Sequence, residues 1–135
     1  MTDLRNELKK FNLQPIQVLD EYDIRKAQPG QVTMEVQVKE NSLTPYQMAH
    51  GGYLFTLADS VAGLTVYSLG YFSVTLQSNI NYLKAAKEGD RLTITGDCLH
   101  DGRTTKLIDV LIQNQNGELV AKSSFTMFVT KEVGS

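Results

Sequence analysis

The sequence predicts an α+β domain in which an antiparallel β-sheet wraps around one long central α-helix. Three observations predict this class. The segment from Gly51 to Leu69 is apolar over most of a helix circumference, the segments on either side alternate apolar and polar residues, and glycine-containing turns separate the C-terminal segments. A helix of this kind must be covered on several sides, and one sheet curved around it is the simplest packing that buries both elements.

Length and composition describe one globular domain over residues 1–135. The 135 residues are 41% hydrophobic and 21% charged, with a formal net charge of −2. Without an excess of positive charge, the chain has no global field for nucleic-acid phosphates. The most apolar stretch still contains Asp59 and several Ser and Thr residues, so it falls short of a membrane span. We expect neither a nucleic-acid nor a membrane partner.

Cysteine and histidine usage points to a reducing compartment. The single cysteine, Cys98, cannot form an internal disulfide, and His50 and His100 lack the spacing of a zinc site. The N-terminal residues MTDLRNELKKF are charged at nearly every second position, where an export signal needs an apolar run. The sequence therefore predicts a cytoplasmic protein without a metal ion.

The predicted elements follow one another in a simple order. A short amphipathic helix occupies residues 1–12, and residues 13–131 form the core of the domain, beginning with a broken extended segment. Alternation from Gln31 to Lys39 predicts a strand with one buried face. After the central helix we expect a meander of four strands: Phe72–Tyr82, Leu92–His100, Thr104–Gln113 and Leu119–Thr130. Their turns are Glu88–Asp90, Asp101–Gly102 and Asn116–Gly117, where glycine can adopt a positive φ.

Asp59 is the first candidate for a functional residue. It is the only formally charged residue in the 43 positions from Asn41 to Leu83, where the chain average predicts about nine. An ionised carboxylate on an apolar helix costs on the order of several kcal/mol unless it is paired or faces a wet cleft. Two interpretations remain open: Asp59 binds amides or Ser and Thr hydroxyls of a neighbouring element, or it carries chemistry in a cleft.

The residues His50, Gly51 and Gly52 begin the same helix. Two glycines allow a ligand to approach amides that lack intrahelical partners and lie at the positive end of the helix dipole, which suits a developing oxyanion. Alternatively, they only permit a tight junction between loop and helix. Gly51 and Asp59 are eight residues apart, about 12 Å along a helix, so one helix cannot bring both to one carbonyl. If both act on one group, Asp59 must come from a second subunit.

Other arrangements carry weaker signals. Ser60 has no GxSxG context, and Cys98 alternates with core positions of a strand. Lys84 and Arg103 lie near strand ends where they could contact phosphates, although exposed strand ends commonly carry such charges. The sequence contains no glycine-rich nucleotide-binding motif.

One longer motif resembles a known family. The stretch HGGYLFTLAD, from His50 to Asp59, resembles the HGG-x-x-F-x-L-A-D motif of the phenylacetate-pathway (PaaI-like) thioesterases, a branch of the hotdog-fold acyl-coenzyme A thioesterases. NYLKAAKEGD, HDGRTT and the final strand from Glu118 to Val129 are similar to further segments of that family. The hotdog fold, a long helix enclosed by an antiparallel sheet, agrees with the predicted element order.

The resemblance implies hydrolysis of an acyl-coenzyme A thioester at a dimer interface, commonly within a tetramer, without a cofactor. Asp59 would be the general base or nucleophile, and the Gly51 amide of the other subunit would polarise the thioester oxygen. His50 would shape the turn and hold the acyl end. The expected substrate contacts are Gly52, Phe55, Lys84 and Arg103.

Two threonines complete the expected site. Six residues before His50, family members often have Asn where this chain has Thr44, which can donate a hydrogen bond but lacks the amide's paired donor and acceptor. Thr75, on the strand after the helix, falls near a position where the family can place a hydroxyl by the bound water.

Alternative functions stay open at this point. A basic rim of Lys84, Lys87 and Arg103 would suit an acyl carrier protein thioester. Thr44 in place of Asn also leaves room for a hotdog module that binds thioesters without cleaving them. A hotdog dehydratase fits less well, because its histidine and acid occur in a different local pattern. The sequence does not identify the acyl group.

Overall fold

The computed structural model describes residues 5–6, 19, 21–40, 43–44 and 48–134. Within these ranges, one long helix packs against a six-stranded antiparallel sheet, so the predicted α+β class is confirmed. The predicted helix over residues 1–12 lies almost entirely outside the described residues and stays a prediction. No helix in the described ranges is long and apolar enough to cross a membrane.

The observed elements agree with the predicted ones to within two residues at each end, which is the usual uncertainty of element boundaries. The long helix, α1, spans Gly51–Ser68. The strands are β1 (Asp23–Gln28), β2 (Gln31–Gln37), β3 (Tyr71–Tyr82), β4 (Arg91–Asp101), β5 (Thr105–Gln113) and β6 (Leu119–Glu132).

The order of the strands corrects the predicted four-strand meander. The sheet runs β1-β2-β4-β5-β6-β3, so the meander comprises β4, β5 and β6 alone, and β3 pairs with β6 at the far edge. The connection from β3 to β4, residues 83–90, is longer than a tight hairpin loop of about two to five residues. Its turn binds the chain just after β2, from the Gly89 amide to the Val38 carbonyl and from the Val38 amide to the Asp90 carbonyl, each at 2.8 Å. These bonds bring β4 beside β2 and leave β3 for the other side.

The core lies between α1 and the inner face of the sheet, where the helix contacts strands β2 to β6. Each fully buried aliphatic side chain contributes about 1.5–3 kcal/mol relative to an exposed one. The helix and the sheet approach closely at Gly96 on β4, where a Cβ atom would lie 2.4 Å from Thr65 Oγ1 and 3.0 Å from Val61 Cγ1. The buried residues of α1 are Tyr53, Leu54, Leu57, Ala58, Val61, Ala62, Thr65 and Val66.

The glycines of the predicted turns fall into two groups. Gly89 and Gly117 have positive φ values of 89° and 75°, as predicted for tight turns. Gly102 does not, so the prediction is wrong at this position. A Cβ atom on Gly102 would lie 2.4 Å from the Thr105 carbonyl oxygen. Glycine is needed there because two backbone segments approach closely, rather than because of its φ.

The two edges of the sheet differ in length and charge. Strand β1 has six residues, of which Asp23, Arg25 and Lys26 are charged. Strand β3 has twelve residues and no formal charge, and the side chains of Val74 and Leu76 are 54% and 63% exposed. Short, charged edges resist pairing with other chains, whereas long, uncharged edges favour it. The β3 edge is therefore the one suited to contact with another strand.

We expect Gly96→Ala to lower the free energy of unfolding by about 1–3 kcal/mol, because its methyl group would overpack the contact between β4 and α1. Urea unfolding followed by circular dichroism measures the change.

Gly63→Ala is the matched control, because beyond the backbone of its own helix and its chain neighbours a Cβ atom here would meet nothing within 4 Å. Alanine is a better helix former than glycine, so we expect this variant to gain about 0.5–1 kcal/mol. Equal unfolding midpoints for wild type and Gly96→Ala would contradict the tight packing at Gly96.

Candidate functional site

Asp59 lies midway along α1 beside the edge strand β3. The Thr75 hydroxyl donates a hydrogen bond to Asp59 Oδ1 at 2.5 Å, and the Asp59 side chain is half-buried. Within the described residues, the second carboxylate oxygen, Oδ2, accepts no hydrogen bond from the chain. One oxygen is therefore held in place by Thr75, while the other can still accept a proton.

A cavity of about 410 Å³ opens at the beginning of α1. The wall includes the backbone of Gly51 at the first turn of the helix, where amide groups lack intrahelical partners. His50, the N-cap residue, is extended at φ −60° and ψ 141° and makes no side-chain capping hydrogen bond. The helix start can therefore offer positive partial charge to a ligand in the cavity. The residues that line the cavity are Thr44, Met48, Ala49, Gly51, Leu54, Tyr82, Leu83, Lys84, Ala85 and Ala86.

Tyr82, the last residue of β3, contacts the helix start directly. Its hydroxyl donates a hydrogen bond to the Gly51 carbonyl oxygen at 2.9 Å, and burial raises the pKa of this phenol. A Cβ atom on Gly51 would lie 3.2 Å from Tyr82 Cζ, whereas one on Gly52 would meet nothing within 4 Å. Of the two glycines, Gly51 is the one whose missing side chain makes room for a neighbour.

The two polar centres on α1 lie apart in one chain. Gly51 and Asp59 are separated by about 12 Å along the helix axis, as the sequence predicts. Strand β3 runs antiparallel to α1 and contacts both centres, with Thr75 at Asp59 and Tyr82 at Gly51. A single edge strand thus touches both ends of the candidate site.

The model of the thioesterase superfamily matches residues 46–121, which include α1, β3, β4 and β5. The chain belongs to the thioesterase superfamily. Its long helix enclosed by an antiparallel sheet is the hotdog fold. The chain is a PaaI-like hotdog protein and a thioester hydrolase, as the sequence predicts. Among curated relatives, it is 33% identical to the acyl-coenzyme A thioesterase PaaI of Escherichia coli K12 over 99 residues, which cover 73% of this chain and 71% of the relative.

Two solved structures extend this likeness over nearly the whole chain. A hypothetical thioesterase of Streptococcus pneumoniae TIGR4, crystallised with coenzyme A, shares 52% sequence identity with this chain. The two structures superpose with a TM-score of 0.90, and the match covers 92% of this chain and 100% of the other. A Streptococcus mutans UA159 protein bound to acetyl-CoA shares 49% sequence identity with this chain. Its TM-score is 0.84, and the match covers 90% of this chain and 98% of the other.

Within this thioesterase, the predicted site residues fall into separate groups. Thr44, Gly51 and Lys84 share the cavity, and Thr75 lies with Asp59. Phe55, an expected substrate contact, packs on Phe125 with ring centroids 5.7 Å apart and lies outside this cavity of the single chain, so its contact with substrate stays a prediction.

The two expected phosphate contacts lie at opposite ends of β4. Lys84 precedes this eleven-residue strand and Arg103 follows it, so about 30 Å of strand separates them in one chain. Lys84 Nζ also forms an ion pair with Glu118 Oε2 at 3.0 Å. One chain therefore cannot direct both cations at a single phosphate group.

Tyr82 is the site residue that sequence reasoning missed. The hydroxyl of a partly buried tyrosine usually makes a hydrogen bond, so a tyrosine at the end of a strand suggests a polar contact without naming its partner. The partner is 31 residues away in sequence, and the strand pattern around Tyr82 does not identify it.

The Lys84–Glu118 pair gives a prediction for pH dependence. The hydrogen bond from Lys84, helped by Asn114, holds the pKa of Glu118 below its ordinary value of 4.5. The ion pair therefore stabilises the fold fully at pH values above 4.5. This stabilisation is lost as the pH falls through the lowered pKa that Glu118 has in the folded state. A carbon-detected NMR titration of Glu118 is expected to give a midpoint below 4.5 in the wild type.

Replacement of Lys84 should move that midpoint upward. We expect Lys84→Met to raise the pKa of Glu118, because the strongest stabilising hydrogen bond is removed. Lys87→Met, at an exposed lysine of the same connection, is the control and should leave the midpoint unchanged. A midpoint that does not respond to Lys84→Met would show that Lys84 does not hold Glu118 in solution.

Proposed function

We propose that this chain hydrolyses an acyl-coenzyme A thioester to a free acid and coenzyme A, at a site shared by two copies of the chain. The observation that carries the proposal is the Asp59 carboxylate held by Thr75 beside an uncharged sheet edge. The bound coenzyme A and acetyl-CoA in the two similar streptococcal structures support the substrate class.

A further parallel with the pneumococcal protein supports the proposed roles of Asp59 and Thr75. Two of its solved structures are of single variants: one replaces an aspartate by alanine, and the other replaces a threonine, sixteen positions later, by alanine. Asp59 and Thr75 of this chain are also sixteen positions apart.

In the proposed reaction, Asp59 acts as a general base on water. Water attacks the thioester carbonyl carbon while Asp59 takes its proton, and the new C–O bond precedes cleavage of the C–S bond. The Gly51 amide donates to the carbonyl oxygen as negative charge develops there. The coenzyme A thiolate leaves and takes up a proton, so the reaction needs water and no cofactor. A nucleophilic Asp59 would instead displace coenzyme A to form a mixed anhydride, and labelled water that attacks the Asp59 Cγ of this anhydride would leave heavy oxygen on the enzyme in a single turnover.

The partner that completes the site is a second copy of the chain. Gly51 and Asp59 of one helix are too far apart to share one carbonyl, and β3 offers an uncharged edge of twelve residues for pairing. A two-fold axis near Ser78 and Asn79, midway between Thr75 and Tyr82, would bring the Tyr82 end of one copy to the Thr75 end of the other. Each of the two resulting sites would combine one Gly51 with one Asp59.

We expect Asp59→Asn to lower kcat by about a hundredfold or more, because the amide cannot accept the proton from water. The measurement is free-thiol release from aryl, short-chain and medium-chain acyl-coenzyme A, with the variant shown to be folded and oligomeric. Equal activity of variant and wild type would contradict the mechanism. Coenzyme A ester binding without turnover in the wild type would favour a binding module, and faster cleavage of carrier-linked acyl groups would favour a carrier-protein substrate.

Thr75 offers a graded control for the same assay. Thr75→Val keeps the shape but removes the hydroxyl that holds Asp59, and we expect about a tenfold lower kcat. Thr75→Ser keeps the hydroxyl and should retain more activity than Thr75→Val.

A mixed dimer tests whether the site is shared. Gly51 occupies the first helical position, where proline is well tolerated, and His50 before it is extended, so Gly51→Pro removes the amide hydrogen with little cost to the helix. Dimers that combine one Gly51→Pro chain with one Asp59→Asn chain, isolated with two affinity tags, contain one intact site and one doubly defective site. We expect about half of the wild-type activity per dimer.

Gly51→Ala is the matched variant, because it adds the same Cβ atom as proline and keeps the amide hydrogen. Because both variants carry this Cβ atom beside Tyr82, the difference in kcat between them measures the contribution of the amide with the effect of the Cβ atom held constant. If both groups acted within one chain, the mixed dimer would contain no intact site and would be as inactive as either parent.

A further inference from the structure

The backbone at Gly51 is held by contacts on two sides. Ahead of the helix, the Ala49 amide donates to the Ala86 carbonyl at 2.8 Å, which anchors the incoming chain to the connection between β3 and β4. Within the first turn, Tyr82 donates to the Gly51 carbonyl, and its ring lies 3.2–3.5 Å from the position that a Gly51 Cβ atom would take. The first of these contacts is made by backbone alone, and the second depends on one side chain.

The Tyr82 contact restricts the orientation of the Gly51 residue. Gly51 has no Cβ atom to limit its motion, and the side chain of its N-cap neighbour His50 adds no capping bond. The hydrogen bond orients the Gly51–Gly52 peptide group, to which the Gly51 carbonyl belongs, and the ring fills the space beside Gly51. Together they restrict rotation at Gly51 and, with it, the direction of the adjoining His50–Gly51 amide. A donor that is aimed before the reaction stabilises developing charge more than one that must reorient.

We infer that Tyr82 is a positioning residue for thioester hydrolysis, which aims the Gly51 amide at the thioester oxygen through its hydroxyl and ring. This inference rests on the proposed function. Tyr82 acts through Gly51, and its contribution belongs to the transition state rather than to binding of the acyl group.

Two alternative roles for Tyr82 predict other effects on KM, kcat and thermal stability than the positioning role does. Tyr82 also lines the 410 Å³ cavity, so as a wall it would change KM by an amount that depends on the acyl group. As a purely structural tie between β3 and α1, it would lower thermal stability and leave the kcat of the folded enzyme unchanged.

The first test is Tyr82→Phe, which keeps the ring and removes the hydroxyl. We expect kcat to fall about tenfold by the same factor for aryl, short-chain and medium-chain substrates, with KM changed less than about twofold and Tm unchanged. Tyr67→Phe is the control, because Tyr67 is 49% exposed like Tyr82 and packs its ring on Phe72 at 5.5 Å. It should match the wild type.

The second test combines substitutions. With the amide removed by Gly51→Pro, the hydroxyl has no donor left to aim, so adding Tyr82→Phe should cost no further kcat. A full additional loss would overturn the inference, as would an unchanged kcat in Tyr82→Phe alone or a loss confined to KM. If Tyr82→Phe does not fold, Gly51→Ala serves instead, because its Cβ atom would lie 3.2 Å from Tyr82 Cζ and must shift the ring by a few tenths of an ångström while keeping the amide; it should also lower kcat.

The outcomes separate this inference from the proposed function. If no acyl-coenzyme A is cleaved, or if Asp59→Asn is fully active, the proposed function fails. If Asp59→Asn and Gly51→Pro each lower kcat strongly while Tyr82→Phe matches the wild type, only the positioning role of Tyr82 is wrong.

Discussion

Burial of one long helix that is apolar on several sides is the constraint on which the rest of the structure depends. Strands β2 to β6 all contact α1, so the sheet must curve around it. A curved sheet of six strands still has two edges, and β3 forms one of them alongside the helix. Asp59 lies half-buried next to this edge, where a carboxylate can remain on an apolar helix because Thr75 provides a hydrogen bond and one oxygen stays accessible.

The position of β3 at the edge links the fold to the proposed chemistry. Had β3 lain between β2 and β4, both of its edges would have been paired within the chain. Pairing with β6 instead leaves a twelve-residue uncharged edge, with Thr75 and Tyr82 at the points where β3 meets α1. The same strand can therefore join two copies and hold the two polar centres that we propose to act together.

Local patterns predicted the elements well and the contacts between them less well. The bounds of α1 follow from its apolar periodicity and from Gly70 after its end, and Asp59 stands out because its surroundings are uncharged. The positive φ that the turn pattern predicts for Gly102 is wrong, because the close approach of the Thr105 carbonyl depends on how the hairpin folds back. Phe55, an expected substrate contact, also packs on Phe125 of β6, a contact between elements that periodicity does not reveal.

The sequence by itself determined the element types, the single charged residue of the central helix and the spacing that keeps Gly51 away from Asp59 in one chain. These properties depend on residues within a few turns or one strand, so periodicity and charge reveal them. Only the tertiary structure decided that β3 lies at the edge beside β6 and that Tyr82 contacts Gly51. The physical reason is that such pairings join residues that are 31 or more positions apart, and several strands compete for each edge until the whole core is packed.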